Sequence, residues 1–266
     1  MIIDFHTHVF PDALAPKAGA SLSATAGFPM FSDLTVSGQL AVMAEDGIDH
    51  AVVLNTVTNT RQVEKVNLFA LETAKNYPTL SVFGSVHPLG EDPAGVLQRL
   101  YDQGLRGLKL HPDYLGIPFD DPSYRPVLKL ASELQIPVVI HAGFDPVSPE
   151  KVHATPKAIR KVMAEFPELI LVCAHMGGMS LWEEVLEALC GRRVYFDTAM
   201  CSPRTGMTAA MGKALVSAHG AENILFGSDM PWARPSEILD FLDTWGLTPE
   251  EREAILWKNG AALLPI

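Results

Sequence analysis

The first strongly apolar run of the chain, Ile2-Ile3-Asp4-Phe5-His6-Thr7-His8, reads as a β-strand that ends in two histidines spaced by one residue. Working outward, seven more short runs follow: Ala51 to Leu54, Ser81 to Val86, Arg106 to Leu110, Pro137 to Ile140, Leu169 to Ala174, Val194 to Asp197 and Asn223 to Gly227. Between them lie amphipathic segments near 38–47, 62–77, 94–103, 123–135, 156–166, 180–190, 206–219 and 236–246, with a closing helix near 249–260. Strand and helix in strict alternation build a parallel sheet with crossover helices. No Gly-x-Gly-x-x-Gly follows the first run, so the count of eight favours a closed (β/α)8 TIM barrel over an open doubly wound sheet. Residues 1–266 are expected to form one such barrel, a usual length for that fold.

Composition excludes several classes of partner. Hydrophobic residues make up 48% and charged residues 19%, enough for a large core. The formal charge of −11 opposes binding to nucleic acid or to an anionic membrane surface, so neither is expected. The three cysteines, Cys173, Cys190 and Cys201, form no Cys-x-x-Cys pair. Met1 runs straight into Ile2 without a basic segment and a long apolar stretch. Free thiols and a soluble cytoplasmic protein are the expectation. Residues 9 to 36, rich in Pro, Gly, Ala and Ser, read as a long irregular loop and a candidate lid.

Barrel enzymes carry their chemistry at the C-terminal ends of the strands. Those ends hold His6 and His8, Lys109 and His111, His141, His175 and Asp229. Period two puts His6 and His8 on one face, the arrangement two imidazoles need to share one ion. Leu108 and Leu110 alternate with Lys109 and His111, so the latter pair should face the interior or the mouth. Lys109 is then a buried ion-pair member, a carboxylate clamp or a carbamylated bridge between two metals. His87 and His111, each before a proline just past a strand, read equally as pocket or as exposed loop. His153 reaches the mouth only if its loop folds over. His50 and His219 precede strands and read as structural. Trp182, Trp245 and Trp257 read as packing, and Trp232 as pocket lining. Arg61, Arg204 and Arg234 lie in loops where they could meet a substrate carboxylate.

Asp4-Phe5-His6-Thr7-His8, Gly107-Leu108-Lys109-Leu110-His111-Pro112, His175-Met176-Gly177-Gly178 and Phe226-Gly227-Ser228-Asp229-Met230-Pro231-Trp232 together resemble the amidohydrolase superfamily, in its amidohydrolase-2 branch. That branch holds aminocarboxymuconate-semialdehyde and resorcylate decarboxylases beside lactone and other hydrolases. The likeness runs to Ile255-Leu256-Trp257-Lys258-Asn259-Gly260-Ala261. It implies that His6, His8, His141 and Asp229 bind one divalent metal, usually zinc, and that His175 is the acid/base beside it. Asp229 would share the proton transfer. Manganese would also suit this donor set, and a second ion would follow if Lys109 were carbamylated. The expected function is hydrolysis of a small amide, lactone or similar carbonyl substrate carrying a carboxylate. Non-oxidative decarboxylation of a small unsaturated or aromatic acid is the alternative, and a homodimer is common in the branch.

Overall fold

The computed structural model describes residues 1–265. Eight parallel strands pair in chain order: β1 (Ile3–Thr7), β2 (His50–Leu54), β3 (Leu80–Ser85), β4 (Leu108–Leu110), β5 (Val138–Ile140), β6 (Leu171–Cys173), β7 (Tyr195–Asp197) and β8 (Ile224–Leu225). The ring closes between its ends, where Phe5 N donates to Phe226 O, Asp229 N to His6 O and His8 N to Met230 O, at 2.7 to 2.8 Å. The expected TIM barrel is therefore present. Six of the ordered strands are one to three residues shorter than the apolar runs suggest, while β2 gains His50 and β3 keeps its length one residue earlier.

The helices are α1 (Ala15–Ala26), α2 (Val36–Asp46), α3 (Val63–Asn76), α4 (Pro93–Asp102), α5 (Pro112–Leu115), α6 (Arg125–Glu133), α7 (Pro156–Glu165), α8 (Trp182–Ala188), α9 (Ala209–His219), α10 (Pro235–Leu242), α11 (Pro249–Glu253) and α12 (Asn259–Leu263). A π turn, Ala254–Lys258, joins the last two. Among the described residues no helix is long and apolar enough to cross a membrane. The segment 9–36 corrects the sequence expectation: it is not one irregular loop but contains the 12-residue α1. Small residues gave α1 no strong apolar stripe, so periodicity missed it, while Pro at its first turn and Gly27 in a left-handed conformation after it mark its ends.

Two apolar clusters separate along each strand. Ile3, Phe5, Val52, Leu54, Phe83, Val139, Val172 and Leu225 draw on six strands and form the barrel interior, plugged from the C-terminal segment by Trp257 and Leu264. The alternate residues, such as Val53, Val82, Leu108, Leu110, Ile140 and Phe226, face the helices. Gly107 is required by a close approach, since a Cβ there would lie 2.4 Å from the Phe83 ring.

Strand β1 departs from simple alternation. Its register with β2 shifts between Asp4 and Thr7, three residues advancing against two. This bulge reverses the parity of the strand, so Ile3 and Phe5 point inward below it and His6 and His8 point inward above it.

His50 and His219 are structural, as expected. His50 is bonded to Ser81 Oγ at 2.9 Å. His219 stacks on Phe196 at 3.9 Å, donates from Nε2 to Val194 O and accepts at Nδ1 from Gly191 N. Burial lowers its pKa, outweighing the bond to Val194 O and the nearby Glu222, which favour the charged ring. The folded state thus resists the proton that the unfolded chain accepts, and stability is lost as pH falls below about 6.5. A His219→Gln variant should lose less melting temperature than the parent between pH 7.5 and 5.5, measured by thermal unfolding. An unchanged pH slope would refute the assignment.

Candidate metal centre

The strand ends converge as the sequence predicts. His6 Nε2, His8 Nε2 and an Asp229 carboxylate oxygen form one group with all donor atoms within 4.8 Å. His111, His141 and Asp145 form a second such group beside it. His141 joins the second group through Nε2, 3.6 Å from Asp145, while its Nδ1 lies 3.0 Å from His175 Nε2. His141 therefore bridges the two groups.

Each imidazole is oriented from behind. His6 Nδ1 is 2.8 Å from Asp197 Oδ2, His8 Nδ1 is 2.9 Å from Leu54 O, and His175 Nδ1 is 2.9 Å from Ala199 O. Carbonyl and carboxylate oxygens only accept, so each of these nitrogens carries its proton. Nε2 of all three then bears a lone pair directed into the cavity. The same logic holds for His141, whose Nε2 faces Phe144 O at 3.3 Å and leaves Nδ1 bare.

The consequence is a crowd of electron-rich atoms that calls for a second proton on a ring or for a cation between the donors. His8 Nε2 is 3.0 Å from Asp229 Oδ1, and His6 Nε2 is 3.5 Å from the same oxygen. His141 Nδ1 and His175 Nε2 lie 3.0 Å apart, a hydrogen bond once either ring carries a second proton. With neutral rings the donors repel one another in a low-dielectric interior, and a divalent ion between them would relieve the repulsion. The nitrogen-rich donor set with one carboxylate is that of a zinc or other first-row metal site.

Electrostatics follows burial. His6 is pushed down to about 4 by burial first and Lys109 second. Burial opposes ionisation of Asp229, but His6 and His8 in their protonated forms outweigh it and hold the carboxylate well below its usual range. Lys109 lies fully inside, as strand parity predicts, with Nζ 3.3 Å from His6 Nε2, and burial lowers its pKa to about 8. Asp4 accepts from Ser228 N and Oγ and from His6 N, tying β1 to the loop that carries Asp229, and burial raises its pKa to about 7. Asp229, His175 and Met176 all have left-handed backbones, at φ of 72°, 61° and 53°. Non-glycine residues tolerate this only where surrounding contacts enforce it. For His175 one such contact is Trp182 Nε1, which donates to its carbonyl at 3.0 Å.

The family-2 amidohydrolase model, described as Amidohydrolase, matches residues 3–266. The chain belongs to the amidohydrolase family. Over nearly its whole length this amidohydrolase is similar in structure to a TIM-barrel protein from Bordetella bronchiseptica, at 20% identity and TM-score 0.79, covering 98% of this chain and 97% of that one. It is similar to a 5-carboxyvanillate decarboxylase from Sphingomonas paucimobilis, at 16% identity and TM-score 0.71, covering 100% and 99%. A dihydroxybenzoic acid decarboxylase from Polaromonas, solved with bound manganese and 2-nitroresorcinol, matches at 15% identity and TM-score 0.69, covering 98% and 96%. No curated protein matches the chain.

Other expected residues of this amidohydrolase divide. His111 and Trp232 line the cavity over the site. His111 is stacked between Tyr114 at 3.8 Å and His141 at 4.4 Å. His87 does not line it; its Nδ1 accepts from Leu89 N in a local turn. His153 is buried against Asp113 at 3.0 Å instead of reaching the mouth. Arg61 is exposed outside the cavity lining, and Arg234 is tied to Asp46 at 2.9 Å. Arg204 reaches the cavity but is bonded by Nε and Nη2 to Glu237 at 2.7 and 2.8 Å.

Sequence reasoning missed Asp197, at the last position of β7, and Asp145, four residues after His141. Strand-end position could have flagged the first. The second depends on the fold of a Pro-rich loop. Burial opposes the charge on Asp145, but the bond from His111 and the nearby His141 keep it ionised. An Asp197→Asn variant should fold yet bind zinc about 10- to 100-fold more weakly in a chelator competition, because His6 loses its orienting carboxylate. Parental affinity would sink this account of the site.

Proposed function

We propose that residues 1–266 act as a divalent-metal-dependent decarboxylase that releases CO2 from a small carboxylic acid without oxidation. The carrying observation is the composition of the floor: its lone-pair donors would seat a divalent cation beside the buried Lys109, and an apolar cavity of about 1030 Å³ stands directly above. A carboxylate entering from that cavity is drawn to the floor, while its body leaves water. Loss of CO2 converts a localised charge into a dispersed one, a change that poorly hydrated surroundings favour. Both relatives named above by their reaction are decarboxylases, which supports this choice over hydrolysis.

In this proposal His6, His8, His141 and Asp229 hold the ion, with His141 using Nδ1. Zinc suits the nitrogen-rich set, and the manganese of the Polaromonas enzyme supports that ion as the second choice. The bound ion would supply Lewis acidity to the substrate's oxygens as negative charge develops. His175, anchored at Nδ1, presents Nε2 to the cavity. Carrying a proton there, it protonates the substrate carbon as the carbon–carbon bond breaks. The bonding pair stays on that carbon, CO2 departs, and His175 regains its proton from solvent. Lys109 holds a carboxylate oxygen as an ammonium; a carbamylated Lys109 with a second ion would remove that contact. His111 lines the substrate's side of the floor. A cytoplasmic setting, in keeping with three free thiols, and a homodimer complete the proposal.

Hydrolysis remains the second reading, since the family's name and the same residues serve it: Asp229 or His175 would take a proton from water and return it to the leaving group. Incubation of the zinc- or manganese-loaded enzyme with aromatic and unsaturated acids, amides and lactones in ¹⁸O-water separates the two. Decarboxylation gives CO2 without label in the organic product. Acid product carrying ¹⁸O, with no CO2, would overturn it. His175→Ala should lower kcat about 10²- to 10⁴-fold while retaining bound metal.

A further inference from the structure

The cavity over the floor is built unevenly. Its rim and walls come mainly from the excursion between β1 and α2, from α3 and from the loops after β5 and β8. They contribute Leu14, Leu22, Phe28, Phe69, Phe144 and Trp232. Leu14 is 55% exposed, an apolar side chain held open to water at the mouth of a cavity. The volume, about 1030 Å³, lies at the upper end of the roughly 300–1,000 Å³ typical of small-molecule pockets. A single-ring acid at the floor would leave most of it unfilled.

Two charged groups of the wall already have partners. Arg204 is paired with Glu237, and Asp113 accepts from Ser148 and His153. The exposed Lys65 stands at the rim, where its ammonium keeps its water. Ser21, Thr25, Thr58 and Gln62 also line the cavity but carry no charge, so the charged groups that face each other at close range are those of the floor.

We propose that the substrate is an amphiphile: one carboxylate or equivalent oxygen head at the floor, and an apolar body longer than one ring along the wall of α1 and α3, reaching Leu14. This rests on the floor being the reactive end, as above, and adds what occupies the rest. The body's burial supplies affinity, and a second anionic group at its far end would meet only the hydrated Lys65, an exposed pair worth less than the hydration lost.

Calorimetric titration of the zinc-loaded enzyme with butanoate, hexanoate, octanoate, decanoate and octanedioate tests it. Binding should tighten roughly three- to fourfold per methylene from butanoate to octanoate. Octanedioate should bind at least about tenfold more weakly than octanoate. Leu14→Asp, a change at an exposed position, should weaken decanoate most. A series flat in chain length, or octanedioate binding as tightly as octanoate, overturns the proposal. A steep series without turnover of any acid upholds it while removing the decarboxylase reading. CO2 release confined to short polar acids does the reverse.

Discussion

The organising constraint of this protein is the crowding of donor atoms that the barrel forces together. His6, His8 and His175 each spend their single N–H on an acceptor behind them, at Asp197, Leu54 O and Ala199 O. Two of those acceptors are backbone carbonyls, so the orientation is fixed partly by the fold itself and not by side chains that could be exchanged freely. The strained backbones of Asp229, His175 and Met176 sit in the same ring of contacts. Cation binding would turn these separate costs into one favourable term, which couples the order of the strand ends to occupancy of the site.

A second tier of carboxylates surrounds the donors. Asp197 serves two strands at once, taking His6 Nδ1 on one oxygen and the backbone N–H groups of His175 and Ala199 on the other. Asp4 does the same between β1 and the Ser228 turn. Asp145 lies against the stacked pair His111 and His141. Asp197 and Asp145 are ionised at a cost in burial that their partners offset, whereas at Asp4 burial prevails and raises the pKa. Position and charge of the site are thus set together.

The barrel and its donor-bearing ends were legible because alternation and strand termini are written locally: His6-Thr7-His8, His141, His175 and Asp229 all follow apolar runs, and Leu108 with Leu110 fixed the inward face of Lys109. What was illegible depended on distant partners. Arg204 and Arg234 are loop cations like any other until Glu237 and Asp46 take them up. Asp145 gains meaning only when its loop folds back on His111. Helix α1 escaped because Ala, Gly and Ser give no apolar stripe, although its packing is tight enough that a Cβ on Gly19 would press on Met30.

The bulge in β1 has a further meaning for the lineage of such a site. Below it the strand serves the core, and above it the same strand serves the chemistry, both facing inward. The extra residue acts as a phase shifter between two requirements that ordinary alternation would set in opposition. Any change in the number of residues between Asp4 and Thr7 would therefore act as a rotation of the donors away from the cavity, however conservative its composition. Chain length over those few positions is as much a part of the centre as the histidines themselves.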